Sequence, residues 1–136
     1  MERLIWLSLY YPKQFKEIKF SKEIAFILLI MHEDLFIRKA NGLFMKVDSR
    51  IIILAEASGG CSKIVTKEGG YLVNSTLTQL EEILPAAHFC RVNRSCIAGM
   101  DYITGFSADT ILILDREVPL VKAYRTHFLE KVKIVI

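Results

Sequence analysis

Glycine-containing dipeptides divide the chain from residue 35 onward into short apolar segments, and this division constrains the fold more than any other feature. The dipeptides are Asn41-Gly42, Gly59-Gly60 and Gly69-Gly70. An Asn-Gly pair between apolar runs signals a two-residue β-hairpin turn, and paired glycines mark turns. The pattern therefore predicts a mainly β-fold built from short antiparallel strands.

Residues 51–54 are a continuous run of branched apolar residues, which is typical of a strand buried on both faces. Residues 62–66 alternate, as a half-buried strand does. Further strands are predicted at residues 35–38, 43–47, 71–73, 89–93, 102–106, 111–114 and 118–121.

One well-formed helix is predicted over residues 76–84. Thr76 can cap its N-terminus, Gln79 stands three residues later as in a capping box, and Pro85 ends it. Its apolar stripe consists of Leu77, Leu80 and Leu84. A short amphipathic segment closes the chain, with apolar side chains at i, i+4 and i+8, namely Tyr124, Phe128 and Val132.

Residues 1–33 form an apolar N-terminal extension, separate from a domain over residues 34–136. Ser21 could cap a helix in it, since apolar residues follow at helical spacing, but the run of apolar residues also fits a buried strand. Either form must be buried, and self-association is one way to bury it. No apolar run is long enough to span a membrane, and no signal-peptide cleavage site follows the first residues. A cytoplasmic protein is expected.

The composition is that of a globular domain, with 52% hydrophobic and 24% charged residues among 136. A net charge of +3 permits a nucleic-acid partner without establishing one. Three cysteines without a C-x-x-C pair are expected to be small buried apolar residues rather than metal ligands. No nucleophile elbow, phosphate-binding glycine loop or zinc-binding motif occurs, so neither an enzyme nor a cofactor is expected.

Several pieces in order resemble the LytTR DNA-binding family of bacterial transcription regulators, over roughly residues 35–133. They are residues 43–47 followed by Ile-Ile-Ile-Leu-Ala-Glu-Ala at 51–57, Tyr-Leu-Val at 71–73, Thr-Leu-Thr-Gln-Leu-Glu-Glu-Ile-Leu-Pro at 76–85, Phe-Cys-Arg-Val-Asn-Arg-Ser at 89–95 followed by Ile97 and by Met-Asp-Tyr-Ile at 100–103, and Val-Pro-Leu-Val-Lys-Ala-Tyr-Arg at 118–125. The family typically reads F-x-R-x-H-R-S-x-I, then L-D-x-I, and later I-P-V-S-R-x-Y-R.

The resemblance implies an elongated antiparallel β-fold with one helix, in which loops between strands contact double-stranded DNA. It further implies promoter sites arranged as direct repeats, bound by a homodimer or by paired copies. The regulatory signal could come from a signalling partner protein, from a membrane protein or from the expression level. The competing interpretation is a module that keeps this fold and binds proteins instead of DNA.

Six residues are candidates for DNA contact because of their chemistry and their places next to loops: Ser62, Lys63, Asn93, Arg94, Lys122 and Arg125. Asn93 can pair with adenine and Arg94 with guanine in the major groove. Ser62 and Lys63 follow the Gly59-Gly60 loop, whose backbone could approach a phosphate closely. Lys122 and Arg125 could contact either a phosphate or a base. Arg91 alternates with Val92 along a predicted strand and is expected to be a surface charge or an ion-pair partner rather than a DNA contact.

This sequence departs from the family pattern mainly in those loops. Asn93 stands where His is usual, Gly60 and Cys61 replace an Asn-Tyr pair, Val121 replaces Ser, and Gly99 replaces Asn. These departures affect the expected target sequence and affinity rather than the expected fold.

Overall fold

The computed structural model describes residues 22–23 and 33–136. The chain divides into two units, Met1–Met31 and His32–Ile136. Lys22 and Glu23 are helical; the rest of the predicted N-terminal helix or strand lies outside the described residues. None of the helices in the described part is long and apolar enough to cross a membrane.

The second unit consists of ten β-strands and two α-helices, counted over residues 33–136. The strands are β1 (Asp34–Arg38), β2 (Phe44–Asp48), β3 (Ile52–Ser58), β4 (Cys61–Thr66), β5 (Gly69–Val73), β6 (Phe89–Asn93), β7 (Cys96–Gly99), β8 (Ile103–Phe106), β9 (Thr110–Ile113) and β10 (Arg116–Pro119). The helices are α1 (Leu77–Ile83), between β5 and β6, and α2 (Lys122–Glu130), after β10.

The strands form three antiparallel sheets, which confirms the predicted mainly β-fold. The largest has five strands in the order β5-β4-β3-β7-β6, with β3 at its centre. A two-stranded ribbon contains β1 and β2, and a three-stranded sheet has the order β10-β9-β8. Every strand pair in these sheets is antiparallel.

Two apolar clusters share the central strand β3. Ile52 and Ala55 belong to a cluster that includes the apolar stripe of α1 and the inner side of the β1–β2 ribbon. Leu54 belongs to the other cluster, together with Ile111 of β9 and Phe128 of α2. Residues two apart in a regular strand face the same side of the sheet. The pairing with β4 is irregular between Ile52 and Leu54, so the two side chains face opposite sides and each is buried in its own cluster. The continuous apolar run at residues 51–54 therefore corresponds to a strand that is covered on both sides.

Helix α1 begins with the capping box that the sequence predicts. The Thr76 hydroxyl accepts a hydrogen bond from the Gln79 N–H at 3.2 Å, and the Gln79 side chain accepts one from the Thr76 N–H at 2.8 Å. These two bonds satisfy amides that a helix start otherwise leaves without partners.

The prediction of a single well-formed helix was incomplete. The amphipathic segment near the C-terminus is helix α2, whose Phe128 is fully buried and contacts Phe106 edge to face at 5.0 Å. The predicted strand at 118–121 was also placed too late, because β10 ends at Pro119 and α2 starts at Lys122. Strand β7 was missed because the Arg94-Ser95 turn before it contains no glycine.

Two of the three glycine-containing dipeptides form hairpin turns, and these two turns differ in length. Gly69 and Gly70 were also predicted as a turn, but they begin strand β5, and the turn before it is formed by residues 67–68. Gly59 and Gly60 both have positive φ, +52° and +84°, and form a two-residue turn in the predicted loop. The Asn41-Gly42 turn was predicted with two residues but has three, Ala40 to Gly42. There the Lys39 N–H donates to Leu43 O at 2.7 Å, and Gly42 has a φ of +81°. This is the longer hairpin loop in which a glycine adopts the left-handed conformation.

Gly99 lets β7 approach the start of β3 closely. A Cβ atom at Gly99 would lie 2.6 Å from the Ile53 carbonyl oxygen and 2.9 Å from that of Ile52. These are backbone atoms of the central strand, so they cannot move aside without disturbing both clusters.

We expect Gly99→Ala to lower the free energy of unfolding by about 1–3 kcal/mol, because the added methyl group overpacks rigid backbone. Urea denaturation followed by far-UV circular dichroism measures the change. Gly105→Ala is the matched control, since its Cβ would meet only the flexible Leu112 side chain, at 3.3 Å. Equal losses for the two variants would contradict this account of Gly99.

Candidate nucleic-acid interface

The β3–β4 turn and the β6–β7 turn lie side by side at one end of the five-stranded sheet. Strand β3 pairs with both β4 and β7, and the Ala57 N–H donates to the Ser95 carbonyl at 2.9 Å just before the turns. Gly59-Gly60 and Arg94-Ser95 therefore lie at the same end of the five-stranded sheet.

The junction between β10 and α2 joins the same end. The Val121 N–H donates to the Val92 carbonyl of β6 at 3.1 Å, and the Asn93 amide nitrogen donates to the Pro119 carbonyl at 2.8 Å. Three connections that are far apart in sequence are thus brought together. This surface, formed by the β3–β4 turn, the β6–β7 turn and the β10–α2 junction, is called the turn end below.

Asn93 holds two of these connections together. It is only 8% exposed. Its Nδ2 atom donates to Pro119 O, and its Oδ1 atom accepts from the Ser95 N–H at 2.8 Å. Base reading by Asn93 would require both bonds to break, so its observed role is to fix the turn and the junction.

Ser62 also faces inward rather than outward. Side chains alternate along β4, so Ser62 lies on the buried side with Ile64 and Thr66, and it is only 1% exposed. Its hydroxyl oxygen has no hydrogen-bond partner among the described residues. It offers no surface to a nucleic acid in this structure.

Lys63 is on the opposite, exposed side of β4. It lies across from Glu56 of β3 and Leu72 of β5. Its aliphatic chain passes over Gly70, where a Cβ atom would lie 2.8 Å from the Lys63 Cε. The glycine therefore gives this lysine room to extend along the sheet surface.

Arg94 is exposed at the tip of the β6–β7 turn, and Arg91 supports the backbone beneath it. The Arg91 guanidinium donates from Nε to the Asn93 carbonyl at 3.2 Å and from Nη2 to the Arg94 carbonyl at 2.7 Å. Its Nη1 atom lies 3.3 Å from Glu81 Oε2 and 3.3 Å from Thr78 Oγ1 of α1. Arg91 is thus an ion-pair partner that connects α1 to the turn.

Lys122 and Arg125 lie one helical turn apart at the start of α2. Lys122 is exposed, whereas Arg125 is half-buried and its Nε has no hydrogen-bond partner in the described part of the chain. Val121 precedes the helix and makes no side-chain cap. The first amides of α2 thus have no side-chain cap, and such amides suit an anion.

Acidic side chains at the same end limit its positive charge. Glu56 pairs with Arg116 of β10 at 3.5 Å, which partly neutralises it. Glu117 is exposed beside Val118 and Pro119. The turn end therefore carries charges of both signs, with more basic than acidic side chains.

The comparisons with known proteins decide the family. The family model of the LytTr DNA-binding domain matches residues 43–133, well over half of the chain. The chain belongs to the LytTR DNA-binding domain family. LytTR domains are non-catalytic and bind DNA in transcription regulators, which agrees with the prediction of no enzyme.

A solved LytTR domain has a similar fold. It is the LytTr DNA-binding domain of a Bacillus cereus protein provisionally described as a methyl-accepting/DNA response regulator. It matches with a TM-score of 0.61 and 21% identity, over 72% of this chain and 94% of that one. At this identity the similarity establishes the fold. No curated protein sequence matches the chain.

The cysteines of this LytTR domain do not form a metal site. Among residues 22–23 and 33–136, no group of His, Cys, Asp and Glu side chains is arranged to hold a metal ion. Cys90 and Cys96 are buried as predicted, but Cys61 is partly exposed next to the Gly59-Gly60 turn. Burial, with a smaller effect from Glu56, raises the pKa of Cys96 to about 12, so it stays a neutral thiol at ordinary pH.

We expect a thiol reagent at pH 8 to modify Cys61 in the folded protein, and Cys90 and Cys96 only after unfolding. Alkylation followed by peptide mass mapping, with and without guanidinium chloride, measures this order. Equal rates at all three cysteines in the folded state would contradict the observed burial.

We also expect Arg91→Ala to loosen the β6–β7 turn, because it removes both bonds to the turn carbonyls. Hydrogen exchange at the Ser95 amide should become faster by about tenfold, a typical consequence of losing one or two net hydrogen bonds. Glu81→Ala is the control, since it removes the ion pair and keeps those bonds. An equal acceleration in both variants would show that the ion pair, not the carbonyl contacts, orders the turn.

Proposed function

We propose that this LytTR domain recognises specific promoter sequences through its turn end, as the DNA-binding part of a bacterial transcription regulator in the cytoplasm. The observation that carries the proposal is the convergence of three connections there, each with an exposed or half-exposed basic side chain on or beside it. Lys63, Arg94 and Lys122 supply them. Family membership supports DNA as the partner.

The dimensions of the turn end suit the major groove. Strands β4 and β6 are three strand spacings apart in the sheet, which corresponds to about 14 Å. The major groove of B-DNA is about 12 Å wide. The Lys63 side chain lies over Gly70 in this structure and would turn toward the β3–β4 turn to contact the backbone on one side of the groove. Lys122 and Arg125 would contact the other side, with Arg94 entering between them.

Arg94 is the proposed base reader, and the other basic residues position the domain. The supported backbone of the β6–β7 turn holds Arg94 at a defined place, which a bidentate contact with guanine requires. The lysines suit phosphates, because a flexible ammonium group makes sequence-independent contacts. Ser62 and Asn93 are left out of the proposed contacts because both are buried.

The Bacillus cereus protein is described as a DNA response regulator, and the corresponding proposal here is a regulator that binds paired direct repeats. Two copies then occupy one promoter, as a dimer or side by side. A signalling partner protein supplies the input.

Protein binding without DNA is the second candidate function. It is favoured by the carboxylates of Glu56 and Glu117 at the turn end, which oppose the approach of phosphates. The two functions differ in their dependence on salt, because phosphate contacts release counterions and most protein contacts do not.

The test begins with selection of bound sequences from a random duplex library, followed by titration of the selected site. We expect Arg94→Ala to weaken binding by about 1–3 kcal/mol and to relax preference at one base pair. Lys67→Ala is the matched control, because it also removes one positive charge but lies at the opposite end of the sheet, where its N–H donates to Ile51 O. Equal losses would contradict recognition through the turn end.

Salt titration separates phosphate contacts from base reading. Lys122→Ala should reduce the slope of log affinity against log salt by about 0.9, the value for one phosphate contact, without changing the preferred sequence. If no sequence is enriched and residual binding is weak and insensitive to these variants, the DNA proposal fails and the protein-binding alternative is favoured.

A further inference from the structure

Val121 occupies the N-cap of α2, a position to which valine is poorly suited. Asn, Asp and Ser are preferred at an N-cap because their side-chain oxygens accept hydrogen bonds from the first amides of the helix, and valine is strongly disfavoured there. The Val121 side chain makes no such bond. The valine therefore deprives α2 of stability that a serine, the residue usual at this position in the family, would supply.

Packing inside the domain does not explain the valine either. Val118 packs against the apolar cluster that includes α2, whereas Val121 belongs to neither cluster and is 43% exposed. Its backbone is nevertheless held in place, because its N–H donates to the Val92 carbonyl at 3.1 Å. Two residues earlier, the Pro119 carbonyl accepts from Asn93 at 2.8 Å. An exposed apolar side chain thus stands at a defined position on the turn end.

Val121 lines a cleft of about 490 Å³ at the turn end, here called the junction cleft. Leu54 and Cys96 are buried at the base of this cleft, with Val118 beside them. Arg94 also lines it, and the side chains of Arg94 and Val121 are both exposed. The exposed valine and the proposed base reader therefore border the same recess.

The acidic side chains of the junction cleft disfavour a phosphate as its occupant. Glu56 and Glu117 both line it. Glu56 pairs with Arg116 at 3.5 Å, whereas Glu117 makes no ion pair with any described residue. A carboxylate repels a phosphate but not an uncharged group. The part of a DNA duplex that suits this cleft is therefore a base edge rather than the backbone.

We propose that Val121 reads the 5-methyl group of a thymine in the major groove, close to the guanine that Arg94 contacts. This inference rests on the proposed recognition of DNA through the turn end. Among the four bases only thymine carries an apolar group on its major-groove edge. Because base pairs follow one another at about 3.4 Å and both side chains border one cleft, the thymine lies within about two base pairs of that guanine.

The departure from serine changes what the domain can distinguish. A serine hydroxyl can both donate and accept hydrogen bonds, so it contacts several kinds of base. Valine offers only methyl groups, which pack favourably against another methyl group and gain nothing from a polar base edge. The valine therefore replaces a helix cap with a preference for thymine, and the departure alters the target sequence without removing DNA binding.

Replacement of single thymines by deoxyuridine in the selected duplex tests the contact, because it removes one methyl group and keeps every phosphate and hydrogen-bonding group. Each thymine is replaced in turn and the affinity is measured by titration. At one position we expect deoxyuridine to weaken binding by about fourfold, the effect of losing the burial of one methyl-sized group. Val121→Ser should bind the two duplexes equally. Phosphate contacts cancel from this ratio, since both duplexes carry the same backbone.

Val135→Ser is the matched control, because it makes the same substitution at a valine that is 96% exposed and follows the end of α2. It should keep the full preference for thymine over deoxyuridine. Retention of that preference in Val121→Ser would show that the methyl group is read elsewhere, and would overturn the proposal.

Thermal unfolding separates a lost contact from a damaged fold. Val121→Ser should raise Tm by about 4 °C, since the serine caps α2, while it removes the preference for thymine. A lower Tm would show that the valine serves the fold, and would contradict the proposed role.

Failure of this inference is distinguishable from failure of DNA recognition. If Arg94→Ala weakens binding to the selected site but deoxyuridine and thymine are bound equally at every position, recognition through the turn end stands and methyl reading by Val121 is wrong. If no sequence is enriched from the library, DNA recognition and methyl reading fail together.

Discussion

Strand β3 is covered on both faces, and the rest of the described domain is arranged around this burial. Ile52 and Ala55 face the cluster closed by α1, and Leu54 faces the cluster closed by α2. Because residues 52–55 of the strand are covered on both sides, they cannot change register without exposing apolar side chains. The same strand pairs with β4 and β7, so it also determines where the two neighbouring turns emerge. The core and the candidate interface therefore depend on one strand.

The turn end shows how the domain gives order to exposed loops. Asn93 and Arg91 both use side-chain hydrogen bonds to hold backbone carbonyls, at Pro119 and at Arg94 respectively. A loop held this way keeps its exposed side chain at a defined position, which base reading requires and a phosphate contact does not. It is the buried residues beside the turn, rather than the exposed ones alone, that give Arg94 a definite geometry.

Short-range sequence signals predicted local structure well, whereas features that depend on long-range strand pairing were not predicted. The α1 capping box depends on residues three apart, so Thr76 and Gln79 were sufficient to locate the helix. Strand β7 has no such signal, because its identity depends on pairing with β3, some forty residues earlier in the chain. The same limit explains Ser62 and Asn93: each has the chemistry of a DNA contact, but only the folded sheet shows that both side chains are buried. Arg94 and Lys122 were located next to loops by sequence, and only the folded sheet brings their loops together.

A net charge of +3 is compatible with DNA recognition when some cations form ion pairs within the domain and others remain exposed at the DNA-binding surface. Arg50 pairs with Asp48 and Arg116 with Glu56, so several cations are occupied within the domain. Arg94 and Lys122 lack such partners among the described residues, and both lie at the turn end. What matters for approach to phosphates is the local excess of exposed, unpaired cations rather than the total for the chain.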